Sequence, residues 1–170
     1  MERTGRQRST IAKHHTGPPF TKTLVGMREA TVHKLIDRAR SRLPKRFWKE
    51  PANNIGAYFA LGEEGLPKNL PKALYWYTLG AKTGDFAAQC NLALMHYFGD
   101  VERKRWLAHK WFIRAAAQGD GQAMTFLGRM HVNGEIVQKD ERAAARWFRC
   151  AKRDGWAIHE WENWLIQHDL

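Results

Sequence analysis

The residue types that most often carry nucleophilic or metal chemistry are present, with 8 His and 2 Cys in 170 residues, but their spacing assembles no site. There is no Gly-rich phosphate loop, no His-Glu-x-x-His and no Gly-x-Ser-x-Gly, and neither cysteine stands beside a histidine in a recognisable motif. Cys90 and Cys150 match no short metal or redox spacing, so both read as reduced, partly buried thiols. His14-His15 falls in a polar, basic stretch. The expectation is therefore a non-catalytic protein with no catalytic residue, metal site or cofactor.

Charge is the remaining chemical signal. Residues 1–51 carry 13 Lys or Arg against 4 acids, whereas residues 52–170 carry 15 against 13, so most of the net charge of +11 belongs to the N-terminal third. Such a segment attracts an acidic partner, whether nucleic acid, an acidic protein face or anionic lipid. Within it Arg38, Arg40, Arg42, Lys45 and Arg46, followed by Phe47 and Trp48, have the composition to contact phosphates while a ring stacks on a base. The plainer reading is a solvated basic face. Val32, Leu35, Ile36, Ala39 and Leu43 share one side of a helix predicted from about Arg28 to Leu43, which Pro44 would end and which would cap whatever follows. Before it, Met1 to Lys22 is polar and broken by Gly17-Pro18-Pro19, the pattern of a mobile arm.

The elements that position everything else follow from a repeat. Ala73-Leu74-Tyr75-Trp76-Tyr77 returns as Ala108-His109-Lys110-Trp111-Phe112 and as Ala144-Ala145-Arg146-Trp147-Phe148. A glycine follows each tryptophan at the same distance: Gly84, Gly119 and Gly155. Ile55-Gly56, Leu92-Ala93 and Leu127-Gly128 precede them, each leading to Gly62, Gly99 or Gly134. Each unit reads as two helices. The first runs from about Asn54 to Gly62, Phe86 to Phe98 and Gln122 to Asn133, and the second from Pro71 to Thr83, Arg103 to Gln118 and Glu141 to Arg153. Asp85, Asp120 and Asp140 suit N-caps, the glycines suit left-handed C-terminal positions, and Pro71 suits a first turn.

Small residues at matched places, Ala73, Ala108 and Ala144, then Gly80, Ala115 and Ala151, allow close helix approach, and the Trp-aromatic pairs fill the space between hairpins. One hairpin cannot cover its apolar face, so the units must stack. The predicted architecture is all-α, a right-handed α-solenoid of three helix-turn-helix repeats (54–84, 85–119, 120–155) within a domain 52–170. A cap at 156–170 and the basic segment 1–51 complete it. In the cap Trp156, Ile158, Trp161, Trp164 and Leu165 recur at helical spacing and would cover the third unit; the alternative is that the tryptophans form a binding patch.

These marks resemble the Sel-one-like repeat, a tetratricopeptide relative. Leu127, Gly128, Gly134, Val137, Asp140, Ala144, Trp147, Phe148, Ala151 and Gly155 fall in the family's places, and the second unit supplies Leu92, Gly99, Ala108, Trp111, Phe112, Ala115, Ala116, Gln118 and Gly119. The Tyr place of the first helix departs, holding Phe59, His96 and His131; neighbouring imidazoles one helix-pair spacing apart, on the order of 10 Å, are too distant to share a metal. The second unit also departs in opening its second helix on Arg103-Lys104-Arg105-Trp106, a charged start opposed to the helix dipole.

The resemblance implies a scaffold for protein complexes, with an inner surface built mainly from first helices. On that surface Tyr58, Asn91, Met95 and Arg129 are the candidate contacts to a protein partner. Some secreted members carry disulfides within each repeat and are linked to penicillin binding; this chain lacks the cysteine pattern, and that activity is not carried over. No apolar run is long enough to span a membrane and no signal-peptide core stands near Met1, so a cytoplasmic location is expected, with mitochondrial targeting the minority alternative.

Overall fold

The computed structural model describes residues 29–48, 51–99, 104–156 and 159–169. The arm with His14-His15, Arg103 and Ile158 lie outside them. Among the described residues eight α-helices follow in order: α1 (Glu29–Arg40), then, after a 3-10 turn at Lys45–Phe47, α2 (Ala52–Leu61), α3 (Leu70–Lys82), α4 (Phe86–Phe98), α5 (Arg105–Ala116), α6 (Gly121–Asn133), α7 (Glu141–Arg153) and α8 (His159–Gln167). The described residues contain no strand. α2/α3, α4/α5 and α6/α7 are packed hairpins, α3 also packs on α4 and α5 on α6, and α1 rests on α3. This is the α-solenoid of three hairpins with a C-terminal helix that the repeat predicts.

Local chemistry explains the helix ends. Asp85, Asp120 and Asp140 accept hydrogen bonds through Oδ1 from the backbone N–H groups of Ala88, Ala123 and Ala143 at 3.0, 2.7 and 2.8 Å. Asn69 does the same for Lys72 at the head of α3. Each satisfies a donor the first turn leaves without an intrahelical partner. The bond from Ala143 also holds the Asp140 carboxyl below the usual carboxylate range. We expect Asp120→Ala to lower stability by about 1 kcal/mol, with Asp120→Asn nearly neutral. Urea midpoints of the three proteins at equal m-values check this, and equal losses in both variants would deny the capping role.

The core runs continuously through the repeats. Ala73, Ala108 and Ala144 are fully buried, as are Phe59, Phe112 and Phe148; Trp76 and Trp111 are buried and Trp147 half-buried. Close approach requires glycine at two matched positions. A Cβ on Gly56 would stand 2.7 Å from the Tyr77 ring, and one on Gly128 would overlap the Phe148 ring.

Both ends are covered. Ile36 is buried, and Leu35, Ala39 and Leu43 pack half-buried against the same core. At the other end Trp161 stacks on Phe148 with centroids 4.5 Å apart and Trp164 meets it edge-on at 5.8 Å.

Candidate protein-interaction surface

The first helices α2, α4 and α6 form one layer, tied across repeats by Asn91, whose Nδ2 donates to Asn53 Oδ1 at 2.9 Å. Two further bridges stiffen the stack. Gln118 Nε2 donates to Gln89 Oε1 at 2.9 Å while Gln89 Nε2 donates to the Ala81 carbonyl, and the Cys90 thiol points at Gln122 Oε1. Burial, helped by the nearby Asp120 charge, pushes the Cys90 thiol far up, so it stays protonated and unreactive.

At the junction of the second and third repeats this layer carries an aromatic cluster. Phe98 is 56% exposed and meets Tyr97 and Phe126 edge-on at 5.2 and 5.8 Å. Phe126 in turn stacks on the buried Phe112 at 5.1 Å with the rings nearly parallel. Cations flank the cluster: the Arg129 guanidinium lies 5.1 Å over the Phe126 ring and that of Arg105 lies 5.4 Å over Tyr97. Arg105 is itself paired to Glu135 at 3.1 Å. An exposed ring backed by packed rings and flanking guanidinium groups is an apolar surface with little conformational freedom left to lose.

The four residues expected on this surface are distributed unevenly. Arg129 belongs to the cluster and Asn91 to the inter-repeat bridge. Tyr58 is half-buried against the Phe47 ring at 5.6 Å. Met95, only 5% exposed, turns inward in the register of the buried Met130 and supports the surface from beneath. Phe98 and Phe126 are absent from the contacts the sequence suggests. Their signal is a break in register, because Phe126 stands where the other units carry Asn54 and Asn91.

The basic N-terminal group is spread along α1 and the turn after it. Arg38, Arg42 and Lys45 are exposed, and Arg40 is half-buried 3.7 Å from Asp37. Arg46 donates to the Glu64 carbonyl and lies over the Phe47 ring. Trp48, 45% exposed, donates its indole N–H to the Leu43 carbonyl at 3.0 Å. Phe47, expected beside these as a stacking ring, is buried.

His131 approaches His109 of α5, and burial together with that second imidazole lowers the His109 pKa. Among the described residues no group of three or more His, Cys, Asp or Glu side chains is placed to hold a metal ion. No described helix is long and apolar enough to cross a membrane.

Hairpins of matched length, stacked through a shared core and closed by end helices, define a helical-repeat protein. Models of the Sel1 repeat match residues 52–85, 86–120 and 121–156, more than half of the chain, which therefore belongs to the Sel1 repeat family. Fifteen solved chains are similar, among them two Sel1-type proteins. One is c5321, a protective antigen present in uropathogenic Escherichia coli strains displaying an SLR fold (TM-score 0.61, 26% identity, covering 75% of this chain). The other is a Sel1 repeat protein from Oxalobacter formigenes (TM-score 0.59, 25% identity, covering 72% of this chain). The present chain spans 27% of the former's length and 90% of the latter's. No curated protein matches it. Sel1 repeats are generally non-catalytic scaffolds for protein interaction.

Proposed function

We propose that this protein is a non-catalytic scaffold that holds a protein partner across its first-helix layer, anchored at the junction of the second and third repeats. One observation carries the reading: Phe98 keeps more than half its surface exposed while its neighbours Tyr97, Phe112 and Phe126 are buried and packed around it. Burying an exposed aromatic ring on a rigid base stabilises a complex at little entropic cost. Arg129 beside it offers a charge-assisted donor for a carboxylate or carbonyl of the partner. Asn91 lies on the same layer, with its carbonyl oxygen not used by the bond to Asn53.

A peptide-display selection against the full chain tests this. Selected peptides should bind at least about tenfold more weakly, roughly 1.4 kcal/mol, to Phe98→Ala and to Arg129→Ala, while melting temperatures change little. Asn91→Ala should weaken binding less. Peptides that bind all three variants as tightly as the parent would move the functional surface off the first helices.

A further inference from the structure

The repeat body is nearly neutral in sum, yet its charges are segregated by layer. The first helices α2, α4 and α6 carry Arg129 and no acid. In the second helices α3 has two lysines, α5 three cations and α7 five, against the single acid Glu141. The acids sit instead in caps, loops and α8.

The segregation is sharpest on α7. Every exposed side chain of that helix is a cation: Arg142, Arg146, Arg149, Lys152 and Arg153. Four of them fall at i, i+4, i+7 and i+11, which at 100° per residue confines them to an arc of about 60° and at 1.5 Å per residue strings them over roughly 16.5 Å. Nearby acids engage only the C-terminal end of this face, at Lys152 and Arg153, and leave Arg142, Arg146 and Arg149 without an ion pair among the described residues. Asp140 caps the helix, Glu141 pairs with Lys139, Glu162 with Lys152 and Asp154 with Arg153. Arg142 and Arg149 make no side-chain hydrogen bond or ion pair among the described residues, and Arg146 has only the through-space pull of Asp140.

We infer that the outer face of α7 is a binding surface for a nucleic-acid backbone, separate from the protein-binding layer. A straight row of guanidinium groups spread over roughly 16.5 Å can meet several phosphates of one strand at once, each guanidinium offering a planar fork of donors to phosphate oxygens. The same face is unsuited to the other anionic partners. A stable protein interface has an apolar core, and no apolar residue of α7 is exposed. An interfacial membrane helix must insert its apolar side, and here Ala144, Phe148 and Ala151 are locked in the protein core.

The test is anisotropy of a labelled single-stranded oligonucleotide with the full chain, titrated from about 50 to 200 mM salt. The triple variant Arg142→Gln, Arg146→Gln, Arg149→Gln should bind at least about tenfold more weakly at low salt. The slope of log affinity against log salt should shrink by about two, at roughly 0.7 for each phosphate no longer neutralised. The matching triple Lys variant should keep most of that slope, and melting temperatures should stay level because the sites are exposed. Unchanged affinity and slope in the Gln variant would overturn the inference in favour of the N-terminal basic segment. Absence of binding by the parent would overturn it as well, as would tighter binding of polyglutamate or anionic vesicles than of the oligonucleotide.

Discussion

Phe148→Ala is expected to destabilise the protein by about 3–5 kcal/mol and to release α8 from the third repeat. The ring is fully buried, with the Gly128 backbone beneath it and Trp161 stacked on it at 4.5 Å, while Trp164 presses against its edge. Removing it opens a cavity between three helices, and neither α6 nor α8 can collapse into the space without giving up its other packing. Since a domain's whole stability is about 5–15 kcal/mol, this is a large share. Without the stack, Trp161 and Trp164 should also become exposed, shifting tryptophan emission to the red in native buffer before the main urea transition begins. A destabilisation below about 1 kcal/mol with unchanged emission would mean that α8 is held by something other than this stack. Gly128→Ala attacks the same packing from the opposite side, and there overpacking should cost about 1–3 kcal/mol.

Much of this architecture is legible in the sequence because chemistry recurs where helices begin and end. α4 and α7 occupy their expected spans, each preceded by an aspartate that caps it, and α4 is followed by Gly99 in the left-handed region. The weaker signals mislead by a residue or two. α2 starts at Ala52, two residues early, because Pro51 can stand at the N-cap with no side-chain bond at all. α5 stops at Ala116 rather than Gln118, because the chain must turn from Ala117 to bring Gly119 into positive φ.

The surface is harder to read, for two physical reasons. One residue turns a helix by 100°, so spacing that identifies the first-helix layer does not decide that Met95 points inward while Phe98 stays exposed. An aromatic residue inside a helix also reads as core, and Phe126 serves both roles: buried itself, it supports an exposed ring. Charge is hidden differently. The 15 cations and 13 acids of residues 52–170 nearly cancel in a sum, and only folding separates the cations of the second helices from the acids of the caps.

Phe112→Ala should do more than lower stability by about 3–5 kcal/mol; it should divide the molecule into separately unfolding parts. In a stack where each hairpin touches only its neighbours, stability is close to a sum of hairpin and interface contributions, and cooperativity depends on the interfaces. Phe112 serves both at once. Its ring packs edge-on to Tyr97 within the second repeat at 6.3 Å and lies parallel to Phe126 of the third at 5.1 Å. With the ring gone, the third repeat and α8 lose the stacked member of the aromatic contacts that tie them to the rest. Unfolding followed by tryptophan emission, to which Trp147, Trp156, Trp161 and Trp164 at this end contribute four of the eight indoles, should then separate from unfolding followed by helical circular dichroism, whereas the parent's two curves coincide. Phe112→Leu refills the space without a stacked ring, so it should recover most of the stability and leave a deficit of about 0.5–1.5 kcal/mol, the part that belongs to the stacking itself. Coincident curves in Phe112→Ala would show that the remaining ties between the second and third repeats, Cys90 to Gln122 and Phe126 against Tyr97 and Phe98, suffice to couple them without it.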